Sequence, residues 1–177
     1  MKLNIKHLLI ICYVSLANPA YSNDNLKFDG ELVRQPCVIQ PGDEIITLNF
    51  GTLIDKYIYL HERTDSKSIF LHLINCDTTL AKTVHISFSG TPSPSPDLTG
   101  YLAVLIAGQS SGLAIGLENA ADGKLIALND QFSVSLNSGS STLEFKAFII
   151  GEPQAIAQQT IKRGEINATM SFSLTYD

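Results

Sequence analysis

The residues best suited to chemistry in this chain are one serine set between glycines, four histidines and three cysteines. Gly108-Gln109-Ser110-Ser111-Gly112 matches G-x-S-x-G, the pattern that places a serine nucleophile on a sharp strand-to-helix turn. That chemistry needs a helix after the serine and a histidine base later in the chain. His7, His61, His72 and His85 all precede Ser110, and no helical period follows it, so the segment reads as a flexible loop. A hydrolase built on Ser110 is disfavoured by the same order. The histidines show no ligand spacing, and solvated strand or loop positions are their default. Asn119-Ala120-Ala121-Asp122-Gly123 lacks the alternating carboxylates of a calcium loop and reads as a turn. Asn167-Ala168-Thr169 is a glycosylation sequon, but it falls in a predicted strand whose solvated phase explains its polar residues. No catalytic residue, metal or cofactor is expected, and the chain reads as non-enzymatic.

The bulk composition points the same way. Hydrophobic residues make up 45% of the 177 and charged residues 16%, which excludes a disordered chain. A formal net charge of −5 argues against nucleic-acid binding, because Lys and Arg must displace phosphate counterions. There is no tryptophan to stack on a sugar. This counts against one candidate reading, a carbohydrate-binding adhesin β-sandwich.

Residues 1–22 form a segment of their own. Lys2 and Lys6 precede an apolar run, Leu8 to Ala17, and small residues, Ala20 and Ser22, stand at the −3 and −1 positions of a cut after Ser22. These are the parts of a cleaved secretory signal peptide; the run is about half the ~20 residues that a membrane span needs. Removal leaves 155 residues and takes away two lysines and no acids, so the net charge of −5 becomes −7. It also removes Cys12, leaving Cys37 and Cys76. An even pair in an exported chain reads as a disulfide, here expected to join the first strand to the third.

The elements that must position these groups are short strands. Leu26-Lys27-Phe28-Asp29-Gly30-Glu31-Leu32 alternates, with a glycine in the apolar phase. Ile46 to Phe50 alternates again. Further apolar faces are Ile69, Leu71 and Leu73; Val84, Ile86 and Phe88; Leu113, Ile115 and Leu117; and Leu143, Phe145, Ala147 and Ile149. Thr91 to Pro96 carries three prolines and reads as a loop, and Asp122-Gly123 as a hairpin turn before Lys124-Leu125-Ile126. The last run is the most regular: Ile166, Ala168, Met170, Phe172, Leu174 and Tyr176 are apolar or aromatic, and every residue between them is polar. No window holds a sustained 3.6-residue period. The pattern predicts an all-β sandwich with one solvated face per sheet.

Several of these runs together resemble the pilin subunits of chaperone–usher fimbriae, the type 1 and P pilus kind. They are Leu26-x-Phe28-x-Gly30-x-Leu32 ahead of Pro36-Cys37, Phe50-Gly51, Leu73-x-Asn75-Cys76, Gly112 to Leu117 with two glycines four apart, and Gly164 followed by the terminal alternation to Tyr176. The resemblance spans the mature chain. It implies an incomplete immunoglobulin-like β-sandwich lacking its last strand and completed by a donor strand. It makes residues 23–34 an N-terminal extension running into the first strand, and 35–177 the pilin domain. Leu26, Phe28, Gly30 and Leu32 would be the donor side chains. Gly164, Ile166, Ala168, Met170, Phe172, Leu174, Tyr176 and Asp177 would form the acceptor groove and chaperone-binding strand, with the Asp177 carboxylate held by basic chaperone residues. The implied partners are a periplasmic pilus chaperone, an outer-membrane usher and neighbouring pilin subunits, on a route through the periplasm to the cell-surface fimbrium. Only 14 residues, Asn23 to Pro36, precede Cys37, which leans toward a minor or adaptor subunit.

Overall fold

Period-two alternation becomes strands wherever a neighbour offers backbone partners. The computed structural model describes Leu32 and residues 34–177. Its strands are β1 (Val38–Ile39), β2 (Lys67–Cys76), β3 (Thr83–Gly90), β4 (Leu102–Ile106), β5 (Gln109–Asn119), β6 (Gln131–Ser135), β7 (Gly139–Gly151) and β8 (Met170–Tyr176). They form two antiparallel sheets, one ordered β1-β2-β7-β5-β4 and one ordered β6-β3-β8.

The alternating faces meet between the sheets. Leu71 and Leu73 of β2, Leu143, Phe145 and Ala147 of β7 and Leu117 of β5 pack with Val84, Ile86 and Phe88 of β3 in one buried cluster. Phe145 is met edge-on by Phe88 and Phe132, with ring centroids 5.3 and 5.9 Å away, the arrangement that ring quadrupoles favour. A smaller core gathers Ile58, Val104, Leu113 and Ile149.

Among the described residues, two short α-helices interrupt the all-β pattern. α1 (Asp55–His61) buries Ile58, and α2 (Pro153–Gln158) buries Ala155. Pro153 stands in the first turn of α2, where its fixed φ and missing N–H cost nothing. At six and seven residues, both are too short to show a period in sequence.

The structure corrects five expectations. Ile46–Phe50 is not a strand: Leu48 and Phe50 still turn to the core, but no strand pairs with their backbone. The half-cystine strand at Lys67–Cys76 is therefore the second of the described strands, not the third. Lys124-Leu125-Ile126 makes only a single bridge, Glu118 to Leu125. The Gly108–Gly112 segment is no flexible loop. Ala107 and Gly108, with φ of 50° and 77°, turn β4 tightly into β5 between Ile106 and Gln109, the positive-φ pair that a two-residue hairpin wants.

The fifth correction concerns the terminal alternation. Only Met170–Tyr176 is strand. Before it the chain serves the other sheet, where Asn167 bridges Leu105 at the β4 edge. Crossing from one sheet to the other between Asn167 and Met170 requires close approach at Gly90. A Cβ there would lie 2.5 Å from Leu102 Cδ1 and 3.3 Å from the Thr169 carbonyl oxygen.

Candidate functional site: the open edge of the smaller sheet

β8 is the end strand of its sheet. It pairs with β3 on one side, in the register Val84 to Tyr176, Ile86 to Leu174, Phe88 to Phe172 and Gly90 to Met170. Its other edge pairs with none of the described residues. Burial falls off toward that edge. Val84 and Ile86 are fully buried and Phe88 is 7% exposed, yet Met170, Phe172, Leu174 and Tyr176, directly opposite on the same core, stay half-buried. Four large apolar side chains thus pack on the core and stay half-buried, beside a row of backbone groups that pair with none of the described residues. Such an edge is a template for another strand.

The strand is anchored at its far end. The Asp177 main-chain oxygen accepts the Lys82 and Thr83 N–H groups at 2.9 and 3.1 Å, and the Asp177 N–H donates to the Thr83 carbonyl at 3.2 Å. The Asp177 side chain meets His85 Nε2 at 3.0 Å, and His85 Nδ1 contacts Ser133 Oγ at 2.8 Å. At the other end, the segment before Gly164 is tied to α1 and β5. Ile161 N–H donates to Tyr59 Oη at 3.1 Å, and Lys162 N–H to the Ser111 carbonyl at 2.9 Å. Arg163 pairs with Asp55 and holds its carboxyl below the usual carboxylate range, helped by the Lys56 N–H.

A family profile described as "Fimbrial protein" matches residues 26–177. The chain belongs to the fimbrial protein family. It is 29% identical to the Fimbria A protein of Serratia marcescens, over 99% of both chains. It is 30% identical to the Major MR/P fimbria protein of Proteus mirabilis, over 85% of this chain and 82% of that one. In fold it resembles the P pilus rod subunit PapA, with a TM-score of 0.69 at 22% identity, covering 81% of this chain and 100% of that one. This fimbrial protein is a structural pilin subunit of a surface fimbrium, a fibre in which neighbouring pilins polymerise. Fibre subunits, not sugar-binding domains, are what the profile and these relatives name, and the adhesin alternative weakens accordingly.

The pilin's disulfide is present: Cys37 and Cys76 are joined, with Cα atoms 4.2 Å apart, and both are buried. It fastens the two-residue β1 to β2. The predicted groove residues divide. Met170, Phe172, Leu174 and Tyr176 share the main core. Ile166 packs into the smaller core, Ala168 is exposed, and Gly164 is exposed beside Ile106. Of the donor residues, Leu32 is exposed; Leu26, Phe28 and Gly30 lie outside the described residues, as does the signal segment. Ser111 is a buried structural hydroxyl, donating to the Val104 carbonyl at 2.6 Å and accepting the Leu113 N–H at 3.1 Å. Ser110 donates to Glu152 Oε1 at 3.1 Å. The His85–Ser133–Asp177 contacts had no sequence signal, because strand register alone brings them together.

Proposed function

We propose that this pilin is an incomplete sandwich whose fibre bond is a strand supplied by another chain. The observation that carries the reading is the asymmetric burial across the β3–β8 pair: full on β3, half on β8. A strand laid along the free edge of β8 covers Met170, Phe172, Leu174 and Tyr176 and gives the unpaired backbone a ladder. Both terms favour binding, since apolar burial gives about 25 cal/mol per Å² and strand addition adds main-chain hydrogen bonds.

The donor in the fibre is the extension of a neighbouring subunit, equivalent to Leu26, Phe28, Gly30 and Leu32 of this chain. Before assembly the edge needs a temporary occupant, which is the role of a periplasmic chaperone; an outer-membrane usher then exchanges one strand for the other. The relatives include both the Major MR/P fimbria protein and the "Putative minor fimbrial subunit PmfF" of Proteus mirabilis, and the short extension leans toward a minor position. Gly30→Leu tests the donor assignment. It should leave the chaperone complex intact and block incorporation into fibres. Fibres growing at the normal rate would remove residues 26–32 from the donor role.

A further inference from the structure

We infer that Asn167 is a modification site: its side-chain amide takes an N-linked glycan from a polyprenyl-diphosphate donor once the chain has left the cytoplasm. Asn167-Ala168-Thr169 is the one N-x-S/T sequence in the chain, and in an exported protein that pattern marks an acceptor where it lies on an accessible loop. A place inside a strand would have hidden it. The structure puts it elsewhere, because β8 begins only at Met170. Among the described residues, the backbone of 163–169 joins no ladder and makes a single bridge, Asn167 to Leu105. A segment held by one bridge can lift from the surface without opening a sheet. Ile166 turns inward onto the smaller core, while Asn167, Ala168 and Thr169 are all exposed. The amide and the Thr169 hydroxyl, the two groups that define the acceptor pattern, are therefore both open to solvent.

The local chemistry suits the transfer. A carboxamide nitrogen is a weak nucleophile, because its lone pair is shared with the carbonyl. Asn167 Nδ2 donates to Glu165 Oε1 at 3.4 Å, so an acceptor-only carboxylate already stands against the nitrogen that must lose a proton. In the step, Nδ2 bonds to C1 of the first sugar. The bond from C1 to the diphosphate oxygen breaks, its electron pair leaves on the lipid diphosphate, and one Nδ2 proton passes to the Glu165 carboxylate. Glu165 is itself exposed, within reach of the transferase that carries the donor.

The experiment exports the full chain, residues 1–177, from cells that hold an oligosaccharyltransferase and an undecaprenyl-diphosphate-linked glycan, and reads the exported product by intact mass and glycopeptide sequencing. The wild-type chain should carry one glycan, on Asn167. Asn167→Gln and Thr169→Ala change exposed side chains, so both should be exported in equal amount and carry none. Thr169→Ser keeps the hydroxyl and should stay modified. Glu165→Gln keeps the shape and removes the charge, and should lower the occupied fraction severalfold. An exported wild-type chain with a bare Asn167, from cells that glycosylate a control acceptor, would overturn the inference, as would a glycan retained by Thr169→Ala. Equal occupancy in Glu165→Gln would remove the carboxylate from the step. None of these readouts depends on fibre assembly, so they separate this inference from the strand-complementation reading.

Discussion

Supplying the missing strand in cis should convert a marginal subunit into a stable one, and the size of the effect follows from the half-buried row on β8. Complete burial of a large apolar side chain is worth about 1.5–3 kcal/mol. Met170, Phe172, Leu174 and Tyr176 already have about half of that, so covering their open flanks adds roughly 3–6 kcal/mol. Backbone pairing along β8 adds to it, at about 0.5–1.5 kcal/mol net per bond. Closing a short linker costs little of this, because loop entropy grows slowly with length. Against a total domain stability of about 5–15 kcal/mol the gain is large. In a chain of this size 1 kcal/mol moves Tm by about 2–4 °C, so fusing residues 23–36 behind Asp177 through a short Gly/Ser linker should raise Tm by roughly 10–20 °C. The assay is thermal unfolding followed by circular dichroism, with monomer content checked by size exclusion. Phe172→Asp should abolish the gain, because it places a carboxylate opposite Phe88 under the added strand. Ser171→Asp, on the exposed face opposite Ser89, should keep it within about 0.5 kcal/mol. An unfused mature chain that is monomeric and melts as high as the fusion would refute the reasoning.

Three further outcomes are expected. Replacing Cys37 and Cys76 together by serine should destabilise by about 4 kcal/mol in the chain-entropy account of a 39-residue loop, read as a lower urea midpoint and a smaller yield of soluble subunit. Arg63→Ala should cost about 2 kcal/mol, measured by urea unfolding. Its guanidinium lies 3.5 Å from the centre of the Phe148 ring and 3.2 Å from Glu118, whose side chain is only 13% exposed, so the change strips a nearly buried carboxylate of its cation. Acid should weaken the fold below about pH 3.8. Asp43 is held below that ordinary value chiefly by the His72 N–H, Asp55 by Arg163, Asp77 by the Thr79 hydroxyl and Asp122 by the Lys124 N–H. With folded values depressed, their contribution is present above the unfolded pKa and lost as pH falls through the folded one; a urea midpoint flat from pH 7 down to pH 2 would contradict this.

Much of the sandwich was legible because burial has a period. Ile69-Leu71-Leu73, Val84-Ile86-Phe88 and Leu143 to Ile149 alternate as core faces, and these faces are buried apart from the half-buried Ile69. The cysteine pair was legible from count and compartment, and Met170 to Tyr176 from an unbroken pattern. Alternation says which side chains turn inward. It does not say whether a neighbouring backbone is there to pair, and so Ile46–Phe50 looked like a strand and is not one.

The amino-acid sequence by itself determined an all-β chain with one cystine and an apolar terminal strand, because composition, period and residue type are local properties. Tertiary structure alone decided where that strand begins. The same phase that runs through Ile166 and Ala168 is split between two sheets, since the chain must cross at Gly90 before β3 can accept Met170. It also decided that the strand is an edge, that His85 and Ser133 meet the terminal Asp177, and that one phenol is buried without a partner. Each depends on which segments, distant in sequence, are adjacent in space, and a pattern along one chain does not carry that information.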